Sequence, residues 1–235
     1  MVGIKSGIRK EKSLLKRGKA SATIAPIPAE ADTLPRRKPS QDRSKERLEK
    51  ILKAAETCIV AHGAANLKIS DIADEAGMAN SSIYQYFKNR EQIIQALLER
   101  YLALFNEQNM QLLDEISSEN DFLKYLEDLV YGYHDYMKSN LAYQAIWMGS
   151  QGWDDLRSID RQDNVRIAQA WVQRVNTFRP GLDPERAFNT FLMCIESGAH
   201  ITRIAVSIGG KAERIMVDEM IRMIKEHLKS FLTNG

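Results

Sequence analysis

Between Lys68 and Arg90 two short helical patterns meet at a single glycine. Ile69, Ile72, Ala73 and Ala76 repeat at helical spacing and make one apolar face. Gly77 follows at once. A glycine reaches φ > 0 without a side-chain clash, so it can stop one helix and redirect the chain. Asn80 and Ser81 are placed to cap a second helix by accepting its free N–H groups. In that helix Ile83 and Phe87 lie four apart and face inward, Ser82, Gln85 and Tyr86 point elsewhere, and Tyr84 sits at the edge. No acidic residue occurs from Gly77 to Arg90, and Lys88 and Arg90 close the run. A short polar helix with an acid-free surface, set behind a tight turn, suits a DNA major groove.

The same periodicity organises the rest. Leu48, Ile51, Leu52, Ala55 and Ile59 form the stripe of a helix from about Asp42 to His62, ended by Gly63. Asn89 and Gln92 resemble a capping box, starting a helix that carries Ile94, Leu97, Leu98, Tyr101 and Phe105 and runs to about Ile116. That is longer than a three-helix head requires, so this helix should join the head mechanically to the rest of the chain. Further helices are expected from Asp121 (Phe122, Leu126, Leu129, Val130, Tyr133, Met137), over Ala142–Gly149, and over Arg157–Arg179 (Ala168, Trp171, Val172, Val175, Phe178). Asp183-Pro184 marks a helix start that runs to about Ile208. Gly209-Gly210 breaks it, and a last helix spans about Lys211–Leu232. No convincing alternating strand or internal repeat is present. The expected fold is all-α, with a three-helix DNA-binding head and a larger helical body. The expected divisions are a basic, disordered extension at 1–40, the head at 41–90 and the body at 91–235.

Charge separates along the chain. Residues 1–50 carry a net +8 and the remainder a net −6. A basic end on an acidic body points to a polyanion partner at that end. Pro26, Pro28 and Pro35 interrupt an Ala- and Thr-rich stretch before Arg36-Arg37-Lys38, a tract within reach of phosphates or a minor groove. No uninterrupted apolar run reaches the roughly 18 residues of a membrane span, and no secretory signal pattern is seen. Two cysteines, Cys58 and Cys194, do not imply a disulfide framework, so the cytoplasm is the expected compartment.

Ile72-Ala73 with Ala76-Gly77, followed by Ser82-Ile83-Tyr84-Gln85-Tyr86-Phe87-Lys88-Asn89-Arg90-Glu91, resembles the signature of TetR-family transcriptional regulators. The resemblance covers about Arg43 to Phe105. It departs from the family at Lys68, where threonine is usual, and at Ser81, where glycine or alanine is common. It implies a homodimer on a two-fold symmetric operator, most often a repressor relieved by a small molecule. The DNA-contact candidates are Arg36, Arg37, Lys38, Lys68, Asn80, Ser81, Ser82, Tyr84, Gln85, Tyr86 and Lys88. Glutamine can make paired hydrogen bonds to adenine. In the family, residues matching Tyr84 and Tyr86 commonly touch phosphates. Lys68 could replace a hydroxyl–phosphate hydrogen bond with an ion pair.

The second half is rich in aromatics and methionines on helices that should surround one space, which in this family usually holds an inducer. Phe105, Tyr133, Met137, Trp147, Trp171 and Phe191 are the candidate lining, and they favour an apolar or aromatic ligand. Ordinary core packing accounts for a good share of such residues, but buried tyrosine and tryptophan want partners for their polar ends. The last two helices are expected to build the dimer, because Gly198 and Ala199 would allow close helix approach and Ile215, Met216 and Met223 give the last helix a second apolar edge. Glu196 and His200 share a helical face and could meet His134, but i,i+4 pairing explains them more cheaply than a metal. No metal or cofactor is expected. No phosphate-binding glycine loop, Gly-x-Ser-x-Gly elbow or His-Glu-x-x-His occurs, which speaks against an enzyme. An inducer-free DNA-binding scaffold or constitutive regulator of the same fold is the alternative. A helical enzyme with an accessory DNA-binding head is a remoter one.

Overall fold

Every regular element is helical in the computed structural model, which describes residues 39–149 and 153–234. Among these residues nine α-helices follow in order: α1 Pro39–His62, α2 Ile69–Ala76, α3 Asn80–Tyr84, α4 Arg90–Leu113, α5 Glu119–Ser139, α6 Leu141–Gly149, α7 Asp154–Phe178, α8 Pro184–Ile208 and α9 Gly210–Asn234. A 3₁₀ turn, Ala64–Asn66, connects α1 toward α2.

Several helix starts arise from side chains that serve the first free N–H groups. Asn89 accepts from the Gln92 amide at 2.9 Å, Ser118 from Asp121 at 3.1 Å and Asp183 from Arg186 at 2.6 Å. The Gln92 side chain reaches back as a capping box would. It accepts from the Lys88 amide at 2.7 Å, not from that of Asn89. Ser118 caps α5, which starts at Glu119, two residues before the expected Asp121. α4 ends at Leu113, short of Ile116, because the backbone tightens into turns from Glu115 to Leu112 and from Ile116 to Leu113.

α1 to α3 and the first turns of α4 form the head. Gly77 lies at φ 58° and ψ 45°, the left-handed cap that ends α2, and its N–H returns to Ala73 and Asp74. The second helix of the motif is shorter than its apolar spacing suggests. It stops at Tyr84, and Phe87 reaches the core through a turn in which its amide bonds back to Ile83 at 3.0 Å. Asn80 is the first helical residue, not the cap. That position belongs to Ala79, which makes no side-chain bond.

Two apolar cores run through the molecule. The first packs Ile51, Ile59, Ile72, Ile83, Ile94 and Leu98 of the head and continues into Tyr133, Met137, Tyr143 and Ile146 of α5 and α6. The second is centred on Phe122, Trp171 and Phe191, whose rings meet edge to face with centroids 5.4 to 5.9 Å apart, and it gathers Met220, Ile221, Ile224 and Leu228 from α9. Both free cysteines are buried in these cores. α8 alone among the described helices is long and apolar enough, by composition, to cross a membrane. Here it lies against α7 on one side and α9 on another.

Gly198 on α8 faces this interior. A Cβ there would meet Ile224 at 3.6 Å and the Met220 sulfur at 3.8 Å. The glycine therefore admits α9 of its own chain, contrary to the expectation that it opens a path for a second copy. At the other end of the body, the last residue of α6, Gly149, abuts the head. A Cβ there would lie 3.3 Å from both the Ala64 side chain and the Ala65 nitrogen.

Candidate functional site

Two regions gather the candidate residues, one on the head and one inside the body. On the head, the start of α2, the exposed side of α3 and the start of α4 enclose an open groove. Its lining includes Lys68, Asn80, Tyr84 and Lys88. The tight turn at Gly77 produces this convergence by folding the N-terminus of α3 back beside that of α2. Ser81 and Gln85 are exposed on the same short helix and its end, and Ser82 is half-buried. Tyr84 is 55% exposed although its neighbour Ile83 is fully buried, so the helix presents one polar side outward.

Two residues of this stretch also make contacts within the head. Tyr86 is half-buried against the head core, and its hydroxyl accepts from Ser44 of α1 at 3.4 Å. Arg90 donates to the carbonyls of Ala65 at 2.8 Å and Leu67 at 3.2 Å and pairs with Glu91 at 2.9 Å, tying α4 to the turn before α2. The Arg90 hydrogen bond holds the Glu91 carboxyl below its usual range. Arg36, Arg37 and Lys38 lie outside the described residues.

In the body, α4, α5, α7 and α8 surround a cavity of about 80 Å³ that is partly open to solvent. Phe105, Tyr133 and Trp171 line it as expected. Met137, Trp147 and Phe191 do not. Met137 belongs to the first core, Phe191 stands behind Trp171 in the second, and Trp147 is separated from the space by Arg203. The Arg203 guanidinium carbon sits 3.6 Å from the centre of a Trp147 ring.

The wall also has a polar end that the apolar pattern does not reveal. Arg203 Nη2 donates to both Asp160 oxygens at 2.8 and 2.9 Å, and its Nε donates to the Tyr133 hydroxyl at 2.9 Å. Burial pushes the Asp160 carboxyl up, and the adjacent Arg203 charge pulls it part of the way back. Beside this pair, Asn106 donates to Asp163, which also accepts from Arg166 at 2.6 Å. Asn164 and Thr202 complete this end. The chain carries one sign of it. Trp171, Ala168, Asn164 and Asp160 share one face of α7, and polar residues within an apolar stripe mark a buried polar site.

The residues considered for a metal are dispersed. His200 is exposed, while His134 is buried with Nε2 2.6 Å from Glu213 of α9, which Lys138 also contacts at 2.9 Å. Among the described residues no group of three potential ligands comes together.

Comparison with known proteins gives these two regions a common context. The family described as bacterial regulatory proteins, tetR family, matches residues 51–97, which cover most of the head. The HTH-type transcriptional repressor KstR2 of Mycolicibacterium smegmatis is 27% identical over 159 residues, which span 64% of this chain and 75% of that protein. The HTH-type transcriptional regulator TtgR of Pseudomonas putida is 33% identical over 60 residues, 26% of this chain and 29% of that one. Among solved structures, the fatty acid degradation regulator FadR from Bacillus halodurans aligns with a TM-score of 0.59 at 17% identity, over 76% of this chain and 94% of its own. That likeness carries the all-helical fold through the body. The head motif is matched in sequence and the helical body in architecture, so the chain carries a DNA-binding head of the tetR family of bacterial regulatory proteins on an all-helical body like those of TetR-family structures.

Proposed function

We propose that this regulator is a homodimeric repressor, working in the cytoplasm, which grips a palindromic operator with two copies of α3 and lets go when a small molecule enters the body cavity. Regulators of this family bind operator DNA and small-molecule ligands and act as dimers. The observation that carries the reading is α4. Its first turns close the head, and further along the same helix Leu102, Phe105 and Asn106 form a wall of the cavity. A ligand that favours one tilt of α4 changes the spacing of the two heads, and a two-site grip on DNA tolerates little misfit. Release requires tighter binding to the DNA-incompetent state, since equal affinity for both states shifts nothing.

On the head, Asn80, Ser81, Ser82, Tyr84 and Gln85 face the major groove, with Lys68 and Lys88 on flanking phosphates. Tyr86 serves a phosphate from the edge, and Arg36, Arg37 and Lys38 add charge from the chain before α1. The dimer forms on the outer side of α8 and α9, where Met193, Ile208, Ile215 and Met223 are all at least half exposed. The test is operator selection from random duplexes, followed by titration of the complex with hydrophobic compounds. Compounds that change tryptophan fluorescence should release the DNA. Binding in the cavity with no change in operator affinity would leave an inducer-free regulator instead.

A further inference from the structure

The cavity is polar at one end and apolar at the other, and its polar end is already neutralised by its own residues. Arg203, the cation set deep in the wall, is engaged by Asp160 and by the Tyr133 hydroxyl. Asp163 is engaged by Asn106 and Arg166. A ligand carboxylate would therefore enter beside two acidic groups and find no unpaired cation. A ligand ammonium would find both carboxylates already accepting hydrogen bonds.

What stays unsatisfied is uncharged. Asn164 is 6% exposed and Thr202 fully buried, both line the cavity, and neither the Asn164 Nδ2 nor the Thr202 Oγ1 has a hydrogen-bond partner in the protein. A buried amide N–H and a buried hydroxyl left unpaired each carry a desolvation cost that a ligand acceptor removes. Away from them, on the next turns of α7, Ile167 and the Trp171 rings make the wall mostly apolar, and the buried Trp171 Nε1 is a further uncharged donor there.

We infer that the ligand is an uncharged amphipathic molecule, an apolar or aromatic body ending in a carbonyl or hydroxyl oxygen, seated with that oxygen at Asn164 and Thr202 and its body against Trp171. The inference rests on the cavity being the ligand site. Asn164 and Trp171 are seven residues apart on α7, roughly 10 Å along the helix at 1.5 Å per residue, so a two-ring body spans the distance.

Four probes with one body and different ends separate the possibilities: 2-acetylnaphthalene, naphthalene, 2-naphthoate and 2-naphthylmethylamine. Binding to the full chain is read by calorimetry and thermal shift. The acetyl compound should bind about tenfold or more tighter than the other three, the gain expected from satisfying a buried polar group. Asn164→Leu and Thr202→Val should each lower its affinity several-fold and leave naphthalene unchanged or improved. Circular dichroism identifies a variant that fails to fold, and the other substitution then decides. Naphthoate or the amine binding best overturns the assignment of an uncharged end while leaving the cavity as the ligand site. Equal binding of naphthalene and the acetyl compound, with both variants neutral, overturns the role of Asn164 and Thr202. No binding by any probe up to millimolar concentration overturns the cavity reading itself.

Discussion

Replacing Asp160 with asparagine keeps the shape of the cavity wall and removes one charge. The Arg203 side chain is 17% exposed and that of Asp160 10%, so the guanidinium would be left charged and largely dry. Arginine cannot neutralise itself by losing a proton. Breaking a buried pair from one side costs about 3–5 kcal/mol. For a domain of this size each kcal/mol moves the melting temperature by about 2–4 °C, which gives a fall of roughly 6–20 °C. The opposite change, Arg203→Met, should be milder, because the stranded carboxylate can take up a proton. Burial already raises its pKa in the folded protein. A carboxyl whose folded pKa exceeds its unfolded value of about 3.9 loses stability as pH rises through the folded value. Arg203→Met should therefore melt closer to wild type at pH 5 than at pH 7.5. The double variant Asp160→Asn with Arg203→Met should recover at least half of the loss in Asp160→Asn, giving a clear coupling in the cycle. Thermal melts by circular dichroism at two pH values decide it. If Asp160→Asn shifts the melting point by less than about 2 °C, or if the two single effects simply add, the pair is not the buried unit described.

On the head, Tyr84→Ala and Lys88→Ala should weaken binding to all duplexes, and Lys88→Ala should lower the salt slope by about one ion. Gln85→Ala should instead change the preferred sequence, read by repeating the operator selection. Removing residues 1–38 should weaken binding at low salt and keep the same preferred site, and an unchanged salt slope in the truncated chain would count against a role for Arg36, Arg37 and Lys38. Met193→Glu combined with Met223→Glu should convert a dimer to a monomer by light scattering without lowering helix content. Ile221 and Ile224 are poor choices for that purpose, because both are buried in their own chain's core. Glu213 is held below the ordinary carboxyl range by the hydrogen bond from Lys138, then by that from His134. Its pairing stabilises the fold above about pH 4.3 and is lost as pH falls through the lower folded value, so Glu213→Gln should flatten the acid limb of the stability curve.

Much of this architecture is legible in the chain because helix starts are local events. Asp183-Pro184 and Asn89 name their own boundaries, and Gly77 can hardly be anything but the turn. The length of α3 is not local. Ile83 and Phe87 have helical spacing, yet a short turn after Tyr84 puts Phe87 into the same core. The cavity divides in the same way. Phe105, Tyr133 and Trp171 could be read from size and stripe. Arg203, Asp160, Asn164 and Thr202 become a site only when α7 and α8 bring their sides together. Gly198 shows the reverse error, since a small residue in a helix says that something comes close without saying what.

The contact of Gly149 with Ala64 and Ala65 has a mechanical consequence. α4 alone would be a free pole carrying the head, and its tilt could vary through a wide arc. With the end of α6 resting on the 3₁₀ turn, the head has a fulcrum as well as a pole, so displacement of α4 becomes rotation about a fixed point. At 3.3 Å an added methyl group would be a tight contact, met by a shift of a few tenths of an ångström in the turn. Gly149→Ala would act as a thin shim at that contact, pressing on the 3₁₀ turn of the head at a point outside both the groove and the cavity lining.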